Sequence, residues 1–292
     1  MNDVARNPVA TALAFAELGK LRLSGLAVVA VIAGLLVADG SVTPAALIGT
    51  TCGTMLVAIA GNALNMYIER DNDRRMGRTL RRPLPAGRLA PMQVLVFGCV
   101  VVVLGLAVLW LTTNALATAL CAAIFATYVL VYTPLKQRTT LNTLVGAIPG
   151  ALPPLVGYAA GAGRLDARAA VLFLILFLWQ IPHFLAIAWR YRDDYRAGGM
   201  RMLPGEAPGS STGLLMVVYA CALVAASLFA YTVGIAGVVY VVAASALGLV
   251  FLFATAAAAV AQNDRAMRLC FLVSIVYLPL LLAVMVLDRV ER

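Results

Sequence analysis

Nine long apolar runs without charged residues constrain the fold of this chain more than any other feature of its sequence. Most of them approach the roughly 20 residues that a helix needs to cross the hydrocarbon core of a bilayer. Hydrophobic residues make up 63% of the chain and charged residues only 12%, so a water-soluble fold would leave much apolar surface in water. We therefore predict an all-α, polytopic membrane protein with nine transmembrane helices, in which residues 1–292 form a single domain. The runs lie at about 24–38, 45–66, 93–112, 115–132, 142–160, 169–189, 213–233, 236–260 and 269–287.

The placement of the basic residues predicts the orientation of these helices. If the loops alternate between the two sides of the membrane, one side has only four of the 22 Lys and Arg residues, namely Arg164, Arg168, Arg289 and Arg292. The remaining 18 lie on the opposite side. Loops rich in Lys and Arg stay in the cytoplasm. We therefore expect a cytoplasmic amino terminus and a carboxyl terminus on the opposite side of a bacterial inner membrane. The net charge of +9 then reflects topology, and nucleic acid is not an expected partner.

Four segments fall on the predicted cytoplasmic side of the membrane. One is the amino-terminal segment 1–22, and the others are the loops 67–92, 133–141 and 190–212. We expect the three loops to form the active site, because polar and charged residues gather at the helix ends beside them.

Asn65, Glu69 and Asp73 recur at every fourth position where the second predicted helix leaves the membrane. Each step of four residues turns the side chain by only about 40° around a helix, so the three groups share one face. Oxygen atoms arranged in this way can bind a hard cation such as Mg²⁺. The alternatives are a solvated helix end with scattered ion pairs, or polar residues that join neighbouring helices.

A second acidic pair, Asp193 and Asp194, follows the sixth predicted helix and lies on the same side of the membrane. Ionisable groups at the membrane boundary are costly and are candidates for function. Basic residues accompany both acidic clusters and suit the oxygen atoms of a diphosphate, although they could equally be ordinary cytoplasmic anchors. The basic candidates for diphosphate binding are Arg70, Lys136, Arg138 and Arg192.

Three segments together resemble the protohaem IX farnesyltransferase branch of the intramembrane aromatic prenyltransferase superfamily. The first is NxxxExxxD followed by RTLRRPLPAGRL, the second YTPLKQRTTLNTLVGAIPGALPPLVGY, and the third LWQIPHFLAIAWRYRDDYRAGGMRMLP. The resemblance implies nine helices around a central cavity, with acidic motifs on the second and sixth helices presenting Mg²⁺ to an isoprenyl diphosphate. The first motif of the family is usually NxxxDxxxD, and this chain differs in having Glu69 as the middle acid. The second motif also differs, because Asp193 and Asp194 are adjacent and no regular DxxxD follows them.

The resemblance also implies an activity, namely Mg²⁺-dependent transfer of a farnesyl group from farnesyl diphosphate to a vinyl group of protohaem IX, which yields haem O. We expect Glu69, Asp73, Lys136 and Arg138 to be catalytic. The expected metal ligands are Asn65, Glu69, Asp73, Asp193 and Asp194.

Candidate residues for the haem substrate lie on and just after the sixth helix. His183, the single histidine, could ligate the iron or orient the porphyrin, or it could be a polar residue satisfied inside the bundle. Trp179 and Tyr195 are further candidates, although Trp179 also suits packing. The arginines between 70 and 88 are candidates for binding the propionates.

The expected partners are farnesyl diphosphate, haem B, membrane lipid, and a downstream haem A synthase or terminal oxidase assembly. Two alternative functions remain open. A related prenyltransferase acting on a quinone or chlorophyll precursor would share the metal site. A non-enzymatic haem transporter or scaffold would instead have polar sites near the middle of the membrane.

Overall fold

The computed structural model describes residues 8–40, 42–206 and 210–290, and every regular element within these ranges is a helix. Residues 1–7 of the predicted amino-terminal segment and residues 207–209 of the last predicted loop lie outside them. The helices are α1 (Pro8–Leu18), α2 (Leu21–Leu36), α3 (Pro44–Asp73), α4 (Pro91–Thr112), α5 (Ala115–Leu135), α6 (Asn142–Ala162), α7 (Ala167–Arg190), α8 (Arg192–Ala197), α9 (Leu203–Glu206), α10 (Ser210–Thr232), α11 (Val238–Ala261) and α12 (Asp264–Leu287).

Eight helices in the described ranges are long and apolar enough to cross a membrane, which confirms an all-α polytopic membrane fold. They are α3, α4, α5, α6, α7, α10, α11 and α12. The first predicted span corresponds instead to α2, whose 16 residues extend about 24 Å and fall short of the roughly 30 Å hydrocarbon core.

Helix α2 nevertheless runs from one end of the bundle to the other. It begins after Lys20, which lies among charged residues from the ends of α3 and α5. Asp39, just beyond its carboxyl end, pairs with Arg168 in the first turn of α7. Within the described ranges the chain therefore crosses the bundle nine times, eight times as a long helix and once as a short one.

Two helices depart from regular α geometry, α5 beside the predicted loop 133–141 and α6 in the middle of its span. Residues Thr127–Tyr132 of α5 form a π-helical segment, a wider turn that often occurs at functional sites. Helix α6 is interrupted at Leu152, immediately before Pro153 and Pro154, because proline lacks the amide hydrogen that continues a helix.

Helix α3 extends to Asp73, so the predicted loop 67–92 begins inside a helix.

Two apolar cores fill the bundle, and α6 contributes to both. Val57, Val102 and Cys121 belong to the core shared by α3, α4 and α5. Leu172 and Tyr277 belong to the core shared by α7, α10, α11 and α12. The outer faces carry large exposed apolar side chains such as those of Leu111 and Val260, as expected where lipid is the solvent.

Small residues allow α2 and α6 to cross at close range. A Cβ atom at Gly157 would overlap the carbonyl oxygen of Val31, and one at Gly34 would overlap the carbonyl of Pro154. Such contacts between backbones are typical of membrane helices, where van der Waals packing drives association. The crossing holds α2 against α6, and Ala30 and Ala33 of α2 join the core that contains Leu172 and Tyr277.

Ion pairs close the end of the bundle where α2 and α6 finish and α7 begins. The Arg168 guanidinium donates to both carboxylate oxygens of Asp39, with Nη1 2.6 Å from Oδ1. The Tyr158 hydroxyl donates to Asp166 Oδ2 at 2.7 Å, and Asp166 caps the first turn of α7. These contacts join three helices at the end opposite to the acidic face of α3.

Candidate active site

The last turns of α3 bury three polar side chains on one face. Asn65, Glu69 and Asp73 are 1%, 3% and 0% exposed. Their common face follows from the spacing of four residues on a helix that continues without interruption to Asp73. Two carboxylates and an amide are therefore held in the protein interior at one end of the bundle.

Both carboxylates are neutralised by cations from distant parts of the chain. Lys136 Nζ, just after α5, lies 2.8 Å from Glu69 Oε1. Arg82 Nη1 donates to Asp73 Oδ1 and Oδ2 at 2.9 and 2.7 Å. The loop after α3 folds back far enough to bring Arg82 there, since the Thr79 hydroxyl donates to the Asp73 carbonyl at 2.7 Å.

Asn65 is oriented by the residue that ends the π-helical segment. Its Nδ2 donates to Thr133 Oγ1 at 3.0 Å, and the Thr133 hydroxyl donates in turn to the Tyr128 carbonyl at 2.8 Å. Because the amide nitrogen faces Thr133, the amide oxygen remains as the acceptor end of the side chain.

Lys20 adds a third cation to this cluster. Burial, together with the nearby charges of Arg82 and Lys136, lowers the pKa of Lys20 to about 7, although Glu69 and Asp73 partly oppose the shift. Burial would also lower the pKa of Lys136, but the Glu69 carboxylate together with Tyr132 and Tyr128 outweighs burial and raises that pKa above its usual value. We name Lys20, Glu69, Asp73, Arg82 and Lys136 the inner charge cluster. When all five are charged it carries one excess positive charge.

The second acidic pair lies at the rim of this region. Asp194 Oδ1 accepts a hydrogen bond from the Gly77 amide at 3.0 Å, and Asn72 Nδ2 donates to the Gly198 carbonyl at 2.7 Å. The ends of α3 and of the α7–α8 segment therefore meet at one end of the bundle. The sequence predicted this meeting.

Asp193 and Asp194 do not, however, join the inner charge cluster in this structure. Asp193 is exposed and lies 3.5 Å from Arg196, and an oxygen of Asp194 is occupied by the Gly77 amide. No group of three or more Asp, Glu, His or Cys side chains in the described ranges is arranged to hold a metal ion. The five-ligand magnesium site thus stays a prediction.

The predicted diphosphate-binding residues lie in different surroundings. Lys136 is part of the inner charge cluster. Arg70 folds back on its own helix and donates to the Tyr67 carbonyl at 3.0 Å. Arg192 lies 3.1 Å from Asp264, and Arg138 is exposed.

Sequence reasoning missed Lys20 as a site residue and considered Arg82 only among the candidates for haem propionates. Lys20 precedes Asn65 by 45 positions and belongs to no motif with it, so only the fold brings the two regions together. Arg78 was likewise considered only among the propionate candidates, and its guanidinium lies 4.5 Å from the ring centre of Tyr191 and 5.0 Å from that of Tyr195.

The haem candidates fall into two separate places. His183 and Trp179 lie between α7 and α12, where His183 Nδ1 is 2.7 Å from Ser274 Oγ and Trp179 Nε1 donates to the Ser274 carbonyl at 2.8 Å. Tyr195 lies at the rim, beneath Arg78 and against Met76.

The donor set of α3 fits Mg²⁺. It offers two carboxylates and an amide, and oxygen atoms are the ligands that this ion prefers. The charge of each carboxylate is already balanced by a cation that could instead bind phosphate oxygens. The chemistry of the inner charge cluster therefore matches a divalent cation together with a diphosphate.

Comparison with known proteins agrees with this chemistry. The UbiA prenyltransferase family matches residues 27–282. A protein of Solibacter usitatus named protoheme IX farnesyltransferase is 44% identical over 83% of this chain and 84% of its own length. A protein of Myxococcus xanthus with the same name is 40% identical over the full length of both chains.

Solved structures share the fold at low sequence identity. A structure of digeranylgeranylglyceryl phosphate synthase has a TM-score of 0.80 at 17% identity and covers 95% of this chain and 98% of its own. A UbiA homologue from Archaeoglobus fulgidus, bound to GPP and Mg²⁺, has a TM-score of 0.64 at 12% identity, over 92% of this chain and 99% of its own.

Proposed function

The chain belongs to the UbiA prenyltransferase family, and on this basis we propose that it transfers a farnesyl group from farnesyl diphosphate to a vinyl group of protohaem IX. The products are haem O and diphosphate. The observation that carries the choice of acceptor is the 40% identity, over the full length of both chains, to a protein named protoheme IX farnesyltransferase.

The inner charge cluster is suited to stabilising the leaving group. As the bond between farnesyl C1 and oxygen breaks, its electron pair passes to the diphosphate, and cations fixed in a buried site stabilise the charge that develops there. Lys136, Arg82 and Lys20 supply these cations. Asn65, Glu69 and Asp73 would hold Mg²⁺, which when bound neutralises the diphosphate. Roles in metal binding for Asp193 and Asp194, and in diphosphate binding for Arg70, Arg138 and Arg192, remain part of the proposal.

The remaining steps form a carbon–carbon bond and consume water. The π electrons of the haem vinyl group attack the allylic cation, and water adds to the resulting carbocation and loses a proton. The protein contributes by holding the two reactants in contact and by excluding water until that bond has formed.

The orientation of the bundle forms a second part of the proposal. The inner charge cluster lies at the end where the loops carry most of the positive charge, and such loops stay in the cytoplasm. We place this end and the amino terminus in the cytoplasm of a bacterial cell, with the carboxyl terminus across the membrane. A haem A synthase or terminal oxidase assembly would receive the product.

One assay tests substrate, reaction and metal together. The purified protein in lipid nanodiscs is incubated with protohaem IX, farnesyl diphosphate and Mg²⁺, with and without a chelator, and the products are analysed by mass spectrometry. We expect a product with the mass of protohaem plus one farnesyl group and one hydroxyl group, because the vinyl group becomes a hydroxyethylfarnesyl group. We expect the chelator to abolish it.

Two other results would replace this proposal with an alternative. A prenylated quinone or chlorophyll precursor formed in place of haem O would identify a related prenyltransferase. Haem binding without release of diphosphate would indicate a transporter or scaffold.

A further inference from the structure

His183 is held rigidly between α7 and α12. The imidazole stacks on Trp179, with ring centres 4.8 Å apart and planes at 21°, and on Phe271, with ring centres 5.1 Å apart and planes at 27°. Its Nδ1 lies 2.7 Å from Ser274 Oγ. The ring plane and one of the two ring nitrogens are therefore fixed, although His183 lies seven residues, about 10 Å, from the charged end of α7.

The hydrogen bonds of Ser274 determine which ring nitrogen carries the proton. The Ser274 hydroxyl donates its single proton to the Phe271 carbonyl at 2.6 Å. With the Ser274 proton assigned to the Phe271 carbonyl, Ser274 Oγ accepts from His183 Nδ1–H, because a hydroxyl has only one proton to give. A neutral imidazole protonated at Nδ1 carries its free lone pair on Nε2.

Nε2 makes no hydrogen bond to any residue in the described part of the chain, and the His183 side chain is only partly buried. A histidine whose only role is to be a hydrogen-bonded polar residue inside the bundle would form hydrogen bonds through both ring nitrogens. Metal-binding histidines have a different arrangement. One ring nitrogen forms a hydrogen bond that fixes the tautomer and the direction of the ring, and the other nitrogen keeps its lone pair for the metal.

The other two haem candidates lack this property. Trp179 offers only an N–H donor, which is already used on the Ser274 carbonyl. Tyr195 lies at the rim beneath Arg78. His183 is also the only histidine in the chain, so no second imidazole competes for the same role.

We propose that His183 Nε2 binds the iron of the haem acceptor as an axial ligand, and that Ser274 is a positioning residue for this imidazole. The inference rests on the proposed function, because that function makes an iron porphyrin the substrate. Axial binding would hold the macrocycle against α7 and α12 and so present one vinyl group to the farnesyl cation.

The single histidine allows a direct spectroscopic test. Protein labelled with ¹⁵N-histidine and carrying no histidine tag is loaded with protohaem in nanodiscs, and resonance Raman spectra of the ferrous complex are recorded. We expect an iron–histidine stretching band that shifts with the label. A wild-type complex without such a band would overturn the inference.

Variants test the ligand and its anchor separately. His183→Gly should lose the band, bind protohaem at least about tenfold more weakly, and recover the band when imidazole is added. Ser274→Ala should weaken protohaem binding about tenfold while leaving binding of metal-free protoporphyrin IX unchanged. Ser245→Ala, which removes a hydroxyl bonded only to its own helix, is the matched control and should leave both affinities unchanged.

The outcomes separate this inference from the proposed function. Unchanged haem affinity and an unchanged band in His183→Gly would refute axial binding even if haem O is still formed. An iron–histidine band in a protein that never transfers a farnesyl group would refute the proposed enzymatic function, and His183 would still stand as the axial ligand of haem. If His183→Gly fails to fold, the labelled wild-type spectrum and Ser274→Ala still decide the question.

Discussion

Glu69 and Asp73 are buried acids whose stability depends on partners that come from elsewhere in the chain. An unpaired buried carboxylate is strongly disfavoured, and Lys136 and Arg82 remove that penalty. The same cations suit phosphate oxygens, so each ion pair can stabilise the free protein and also supply a group for the substrate. Glutamate at position 69 retains the carboxylate of the aspartate usual in the family on a longer side chain.

Neutral replacements at these two positions test the site. Glu69→Gln and Asp73→Asn each remove an expected metal ligand and leave a buried cation without its partner. We expect the rate of farnesyl transfer to fall about a hundredfold or more, while the protein still inserts into the membrane. Rates are measured by product formation, and insertion by membrane fractionation.

Asp71→Asn is the matched control for these two variants. Its carboxylate is 65% exposed and pairs only with Arg70 and Arg74 on the outside of the same helix, so we expect near wild-type transfer. Full activity in both Glu69→Gln and Asp73→Asn would remove the metal-binding role of α3.

The helices that build the site differ from uniform membrane spans. Helix α3 continues beyond its apolar run and thereby carries Glu69 and Asp73 to the end of the bundle. The π-helical segment of α5 ends at Tyr132. Thr133, the next residue, orients Asn65, and Lys136 follows about one turn later. Helix α2 is short, and its position depends on close contact with α6 through Gly157.

The crossing of α2 and α6 can be tested by adding one methyl group. Gly157→Ala places a Cβ against the backbone of α2, which cannot move aside as a flexible side chain could. We expect a loss of about 2 kcal/mol in the free energy of unfolding, measured in detergent micelles.

Gly25→Ala serves as the comparison because a Cβ there would meet no atom within 4 Å. This variant should be neutral or slightly more stable, since alanine favours helix by up to about 1 kcal/mol over glycine. Equal stabilities for the two variants would show that the close crossing does not form.

The whole molecule separates its charges between the two ends of the bundle. One end contains the inner charge cluster and the arginine-rich loop after α3. At the other end, Arg164 and Arg168 are paired with Asp39 and Asp166. An excess of Lys and Arg residues in the loops at one end is what orients a membrane protein with that end in the cytoplasm.

Cysteine labelling tests this orientation. In a variant lacking the five native cysteines, Leu141→Cys and Leu165→Cys place one exposed thiol at each end of the bundle without changing any charge. In right-side-out spheroplasts, a membrane-impermeant maleimide should label Leu165→Cys at once and Leu141→Cys only after permeabilisation. The reverse pattern would place the inner charge cluster outside the cytoplasm.

The sequence by itself determined the helical membrane fold, the alternation of its loops between the two ends of the bundle, and the shared face of Asn65, Glu69 and Asp73. These features depend on apolar run length and on the 3.6-residue period of a helix, which are local properties of the chain. The first predicted span, 24–38, is itself only 15 residues long, and the structure confirms that the corresponding helix α2 is short, with 16 residues.

Only the tertiary structure decided which charges meet. Lys20 and Arg82 face Glu69 and Asp73, whereas Arg192 pairs with Asp264 and Asp194 accepts from the Gly77 amide. These partners are set by helix packing and by how the loops fold back, and no local period encodes them. The contact of His183 Nδ1 with Ser274 Oγ, a residue 91 positions away, likewise depends on tertiary structure, because only the packing of α7 on α12 brings the two side chains together.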